Sequence, residues 1–155
     1  MMRTRFQIRP FTSAAVLLSL MLMPQLSAQS PNLSTLKVRV VNLHNSKGEI
    51  RVALFESAEG FPGDASKAIR TQQARIDPKA LSAQVVFTGI PQGAYALSVF
   101  HDENMNGKLD KNIVGMPKEG YGASNNPEKK MRPPNFDEAE FSLKAERSIE
   151  ISLIY

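Results

Sequence analysis

VVFTGIPQGAYALSV, residues 85–99, decides the fold. Val85 and Phe87 alternate with smaller or polar neighbours, and Tyr95, Leu97 and Val99 then share one face. Apolar residues at every second position belong to a strand with one buried face, because successive side chains of a strand point to opposite sides. Gly89-Ile90-Pro91-Gln92-Gly93 lies between the two runs and has turn chemistry, so the stretch predicts a hairpin of two central strands.

The same period recurs outward along the chain. Leu36, Val38 and Val40 form one run and Ile50, Val52 and Leu54 another, joined by His44-Asn45-Ser46-Lys47-Gly48, which predicts a second hairpin with His44 as a turn residue. Ala139, Phe141 and Leu143 form a further run, and Ile149, Ile151, Leu153 and Tyr155 a closing one. From Glu56 to Ser82 the alternation lapses. Ala65–Arg75 lacks Gly and Pro and places Ala68, Ile69 and Gln72 at helical spacing, so one short helix is expected there, capped by Asp64 and followed by Pro78. Six strands without a βαβ rhythm predict an all-β fold, an antiparallel β-sandwich of immunoglobulin or transthyretin-like type. Val38, Val52, Phe87, Leu97, Val99, Phe141 and Ile151 should face inward.

The start of the chain has a different character. Arg3, Arg5 and Arg9 precede an apolar run from Phe11 to Met23, and Leu26-Ser27-Ala28 fits a cleavage site. Residues 1–28 are therefore expected to be a signal peptide, because the apolar run is well short of the roughly 20 residues that span a bilayer. Cleavage would remove three of the 19 basic residues and none of the 15 acidic ones, leaving a net charge of about +1. That balance gives no footprint for nucleic acid, and no stable membrane anchor would remain. The chain has no Cys, so it has neither a disulfide framework nor a lipidated cysteine. A periplasmic or secreted single domain over residues 29–155, with its core from about residue 35, is the expected product.

His101–Asp110, HDENMNGKLD, concentrates the polar chemistry. Counting Asp102 as position 1 of a calcium loop places Asn104 at 3, Asn106 at 5, Gly107 at the sharp turn, the Lys108 carbonyl at 7 and Asp110 at 9. Position 12 is Ile113 rather than the usual bidentate Glu, so a Ca²⁺ site here should be weak, with Kd of about 10⁻⁴ to 10⁻³ M. Asn106-Gly107 is also a strong tight-turn signal, which explains the same residues without an ion. No organic cofactor is implied.

Residues 111–136 are too long and too rich in Gly and Pro for a mere connector, yet Ile113, Met116, Tyr121, Met131 and Phe136 supply apolar anchors. One long ordered loop is expected over one end of the sandwich, with His101, Glu119, Tyr121, Ser124, Asn125 and Asn126 as possible ligand contacts. The run Lys129, Lys130, Arg132 reads as a solvated patch.

Three functions fit these features: an exported binding or accessory module for a small ligand, an interaction module docking an envelope protein through the 111–136 loop, and a hydrolase using Asp102, Glu103, Glu119 and His101. The last lacks a G-x-S-x-G elbow, a P-loop, an H-E-x-x-H motif and any Cys nucleophile. No residue is therefore assigned as catalytic.

GIPQGAYALSVFHDENMNGKLDKNIVGMPKEGYGASNN, residues 89–126, resembles the signature of the bacterial family called domain of unknown function 2141, and PPNFDEAEFSL, residues 133–143, resembles its closing region. Ala123 stands where that pattern often has a larger residue such as Phe. The resemblance spans roughly Leu36–Leu153 and implies an exported bacterial protein. More loosely, Pro91–Val99 is similar to a strand of transthyretin-like and collagen-adhesin B-type domains, which implies fold alone.

Overall fold

A computed structural model describes residues 32–128 and 132–155. The expected signal peptide lies outside the described residues, as do Lys129, Lys130 and Met131. Among the described residues eight strands form two sheets: β1 (Leu33–Val41), β2 (Glu49–Phe55), β3 (Arg70–Ala74), β4 (Ala83–Pro91), β5 (Gly93–Asp102), β6 (Tyr121–Ala123), β7 (Phe141–Leu143) and β8 (Arg147–Ser152). A short helix, α1 (Phe136–Ala139), precedes β7. The first sheet has the order β4-β1-β8 and the second the order β3-β2-β5-β6, with β7 pairing β5 beside β6.

The sandwich is all-β, and every residue expected to face inward is buried. One cluster fills the space between the sheets, drawing Leu36, Val38, Val40, Val85, Phe87 and Ile151 from the first and Ile50, Val52, Leu54, Leu97 and Val99 from the second. Burying a side chain of this kind contributes roughly 1.5–3 kcal/mol. With no cysteine in the chain, these contacts and the backbone ladders hold the domain together. All described strand pairs and both core clusters lie within residues 32–155, so a chain starting at residue 29 retains the whole described fold.

Neither expected hairpin forms. β1 and β2 lie in different sheets, and so do β4 and β5. The physical reason is at the corners. Only Gln92 separates β4 from β5, and Tyr95 donates from its hydroxyl to the Pro91 carbonyl at 2.9 Å, fixing a bend that carries the chain to the opposite sheet. At the other corner Gly48 has φ +65°, and a Cβ there would stand 1.9 Å from the Asp102 carbonyl oxygen, so only glycine lets the chain pass this close. β4 is consequently an edge strand, whereas β5 is central as expected. The pairing is also not wholly antiparallel, since β8 lies parallel to β1.

The expected helix over residues 65–75 shrinks to a 3-10 turn at Ala65–Lys67, with Asp64 accepting from the Ser66 amide at 3.0 Å. Beyond it the Ile69 amide donates to the Leu54 carbonyl at 2.8 Å, and Arg70–Ala74 pair antiparallel with β2. The open edge of β2 offers this segment a full ladder, which outweighs its weak helical propensity. Ala139 likewise ends a helical turn instead of lying in a strand with Phe141.

Candidate functional site

The outer face of the five-stranded sheet carries the site. Alternation that turns Val52, Leu54, Leu97 and Val99 inward turns Arg51, Ala53 and Phe55 of β2 and Ala96, Ser98 and Phe100 of β5 outward. Register then assembles rows across the strands. Thr71, Ala53, Ser98 and Ala123 stand side by side, and Gln73, Arg51, Phe100 and Tyr121 form the next row. Phe55 and Ala96 make up a third.

That third row is sealed. Phe61 meets Phe55 edge-on at 5.4 Å and Phe136 at 5.8 Å, and Ala139 closes the cluster. Ser124, fully buried, stitches this cover to the sheet: its hydroxyl accepts from the Leu97 amide at 2.9 Å and donates to the Ala139 carbonyl at 2.5 Å. Ala123 is buried in the same cluster.

The other two rows, apart from Ala123, form the floor of an open groove of about 930 Å³. Pro62, Gly63 and Arg132–Pro134 make one wall, and Gly107–Leu109, Lys111 and Gly115–Pro117 the other. This volume falls within the range of small-molecule sites. Its lining includes Arg51, Lys108, Lys111 and Arg132 and not one acid. Arg132 makes a two-pronged contact with Glu138 at 2.9 and 3.0 Å, and that hydrogen bond raises its pKa above the ordinary value. Among the described residues Lys108 and Lys111 pair with no acid.

The 102–119 loop is held in place by its own polar groups. Asp102 is fully buried, receiving Arg51 Nε at 2.7 Å, the Asn106 amide at 3.0 Å and the Gly107 amide at 2.8 Å. Three donors around one carboxylate meet the cost of burying its charge. Arg51 also pairs with Glu49 at 2.8 Å. Glu119, which is buried, accepts from the Glu103 and Asp110 amides, both at 2.9 Å, and so ties the two ends of the loop.

The expected calcium ligands do converge, but on one another. Asn104 Nδ2 and Asn106 Nδ2 donate to the two Asp110 oxygens at 2.8 and 3.0 Å. Asn104 Oδ1 accepts from the Asn106 amide and Asn106 Oδ1 from the Lys108 amide, the bonds of successive Asx turns. Among the described residues no group of three or more His, Cys, Asp or Glu stands ready for a metal.

The expected ligand contacts divide. Tyr121 lines the groove. His101 is fully buried, with Nε2 donating to the Lys47 carbonyl at 2.7 Å and Nδ1 3.0 Å from the Tyr155 hydroxyl. Tyr155 stacks on His44 at 3.6 Å, and burial raises the pKa of its phenol. Asn125 donates to the Glu140 carbonyl at 2.7 Å, while Asn126 both donates to the Glu150 carbonyl and accepts from the Ser152 amide. With Glu119 and Ser124, these side chains position the loop and strands. Arg51, Ser98, Phe100 and Arg132 escaped the sequence reading. One signal was available: Phe100 is a large aromatic in the wet phase of β5.

A family model described as an uncharacterized protein conserved in bacteria, DUF2141, matches residues 38–151. The chain belongs to the DUF2141 family. The matched span runs from β1 into β8 and contains every groove residue named above. No curated protein and no solved structure matches the chain.

Proposed function

We propose that this DUF2141 protein is an exported binding module whose outer-sheet groove takes up a small amphipathic anion. The observation that carries the reading is the lining: an apolar and aromatic floor at Ala53, Phe100 and Tyr121, with two acid-paired cations, Arg51 and Arg132, and two lysines, Lys108 and Lys111, that pair with no acid among the described residues. An apolar body is favoured by the floor and a carboxylate or sulfonate by the rim, where Lys108 and Lys111 keep their charges available. A hydrolase finds less support. His101 is closed off from solvent, and Asp102 and Glu119 are occupied in holding the loop.

The test uses the anionic dye 8-anilinonaphthalene-1-sulfonate with the chain from residue 29. Saturable one-site binding is expected, with the neutral analogue N-phenyl-1-naphthylamine bound at least about fivefold more weakly, roughly the 1 kcal/mol of one well-placed charge. Reversing Lys108 and Lys111 to Glu should weaken the dye by about tenfold or more. Absence of saturable binding, or indifference to both reversals, overturns the reading.

A second reading adds a low-affinity Ca²⁺ site, favoured by the convergence of the Asn104, Asn106 and Asp110 side chains. At about 10 mM Ca²⁺ and a Kd of about 1 mM, linkage adds roughly 1.4 kcal/mol. The melting temperature should then rise by about 3–6 °C on readdition after chelation. No rise, or an equal rise with Mg²⁺, leaves Asp102–Asp110 as a self-bonded turn.

A further inference from the structure

Lys111–Lys118, KNIVGMPK, forms a small hairpin on the groove's outer wall that exposes apolar side chains where a soluble domain ordinarily hides them. Ile113 is 104% exposed and Val114 75%, against a core in which residues of these types are at or near zero. The exposure is not the by-product of a loose loop. Asn112 donates its amide to the Met116 carbonyl at 2.8 Å and accepts the Gly115 amide at 2.9 Å. Its side-chain oxygen accepts from the Val114 and Met116 amides, both at 3.0 Å. Lys111 bridges Pro117, and the Lys118 amide donates to the Asp110 carbonyl at 2.8 Å, closing the base. Five bonds thus hold two bare aliphatic side chains at the apex of a turn.

Charge surrounds that apex in one sign. Lys111 and Lys118 bracket the hairpin, Lys108 stands just before it, and the segment between the brackets holds no acid. The nearest acids at the base are engaged: Asp110 by the two Asn amides, and Glu119 by backbone amides in a buried position. We propose that the hairpin is a docking tip for an anionic lipid surface, with Ile113 and Val114 entering the acyl boundary and the lysines at headgroup level. Convexity favours lipid over a protein partner, since a two-residue apex exposed on all sides has too little area for a stable protein interface but suits insertion into a fluid boundary. Lysines beside an apolar tip match the negative potential of an anionic leaflet. Such contact is reversible and requires no anchor. It shares Lys108 and Lys111 with the groove, but its apolar tip is separate, because Ile113 and Val114 do not line the groove.

Sedimentation of the chain from residue 29 with phosphatidylglycerol vesicles, against phosphatidylcholine vesicles, tests the proposal. The anionic vesicles should carry down at least about tenfold more protein at low salt, and the difference should fall as salt rises. Ile113→Ser with Val114→Ser, which removes the apolar tip without adding charge, should abolish the sedimentation while leaving the melting temperature and dye binding in the groove unchanged. Lys111→Gln with Lys118→Gln should weaken vesicle binding by about fivefold per lysine. Protein left in the supernatant with anionic vesicles, equal binding to both vesicles, or a double Ser variant that sediments like the parent would each overturn it.

Discussion

Two halves of one sheet face have opposite fates. Around Phe55 and Ala96 the outer face of the five-stranded sheet is closed by Phe61, Phe136 and α1. Around Ala53, Ser98 and Phe100, two to four residues further along the same strands, it lies open between a proline-bearing wall and the polar loop. The strands are equally regular in both halves, so the difference comes from what the loops deliver. Phe61 and Phe136 carry aromatic plugs to the first half. The wall of the second is built from Gly107, Lys108 and Lys111, held by Asp102 and Glu119 at a distance that leaves space. A sheet with one face in the core does not need its second face covered. Where cover exists it adds stability, and where it is withheld the sheet face stays open as a groove.

The largest effect separating the halves should come from Phe55→Ala. It removes the fully buried ring beneath the cover and should cost about 3–5 kcal/mol, measured by denaturant unfolding. A loss below about 1 kcal/mol would mean that the cover is not a packed second core. Next is Ser124→Ala, which strips a partner from the Leu97 amide and the Ala139 carbonyl in a buried setting and should cost about 1–3 kcal/mol. Faster hydrogen exchange at the Leu97 amide would locate the loss at the seam; protection unchanged from the parent would place it elsewhere. Phe100→Ala should show the smallest stability change, no more than about 1.5 kcal/mol, because the ring is already half-exposed. Its consequence belongs to the groove, where dye affinity should fall about tenfold or more, equivalent to about 1.4 kcal/mol. Full retention of dye binding in that variant would erase the functional contrast between the halves.

The two halves were unequally legible in the sequence. Alternation identified β1, β2, β4, β5, β8 and, apart from Ala139, β7, and sorted their faces, since Val38, Val52, Leu97, Phe141 and Ile151 had to share one environment. It could not say which sheet a strand joins. Asn45-Ser46-Lys47-Gly48 and Pro91-Gln92-Gly93 carry the same turn chemistry whether the chain folds back within a sheet or crosses to the other. β3 went unseen because RTQQA is a polar edge strand without apolar alternation, and β6 because three residues, Tyr121-Gly122-Ala123, are too few to show a period. The polar string from Asp102 to Asp110 was conspicuous as chemistry, and the structure shows these groups bonded to one another and to Arg51. The groove was hidden for a different reason. Its lining comes from residues 51–53, 62, 63, 65, 71–73, 98–100, 107–109, 111, 115–117, 121 and 132–134, brought together only by strand register and loop path. Among its residues Tyr121 was expected to meet a ligand and Lys108 to offer its carbonyl to Ca²⁺.

The open half is most directly tested by mapping amide chemical shifts during titration of the chain from residue 29 with 8-anilinonaphthalene-1-sulfonate. The account predicts saturable changes concentrated at Arg51, Ala53, Ser98, Phe100, Lys108, Lys111 and Tyr121, with Phe55, Ala96, Phe136 and Ala139 in the sealed half left nearly still. Changes centred on the sealed half, or scattered over both sheets without saturation, would contradict it.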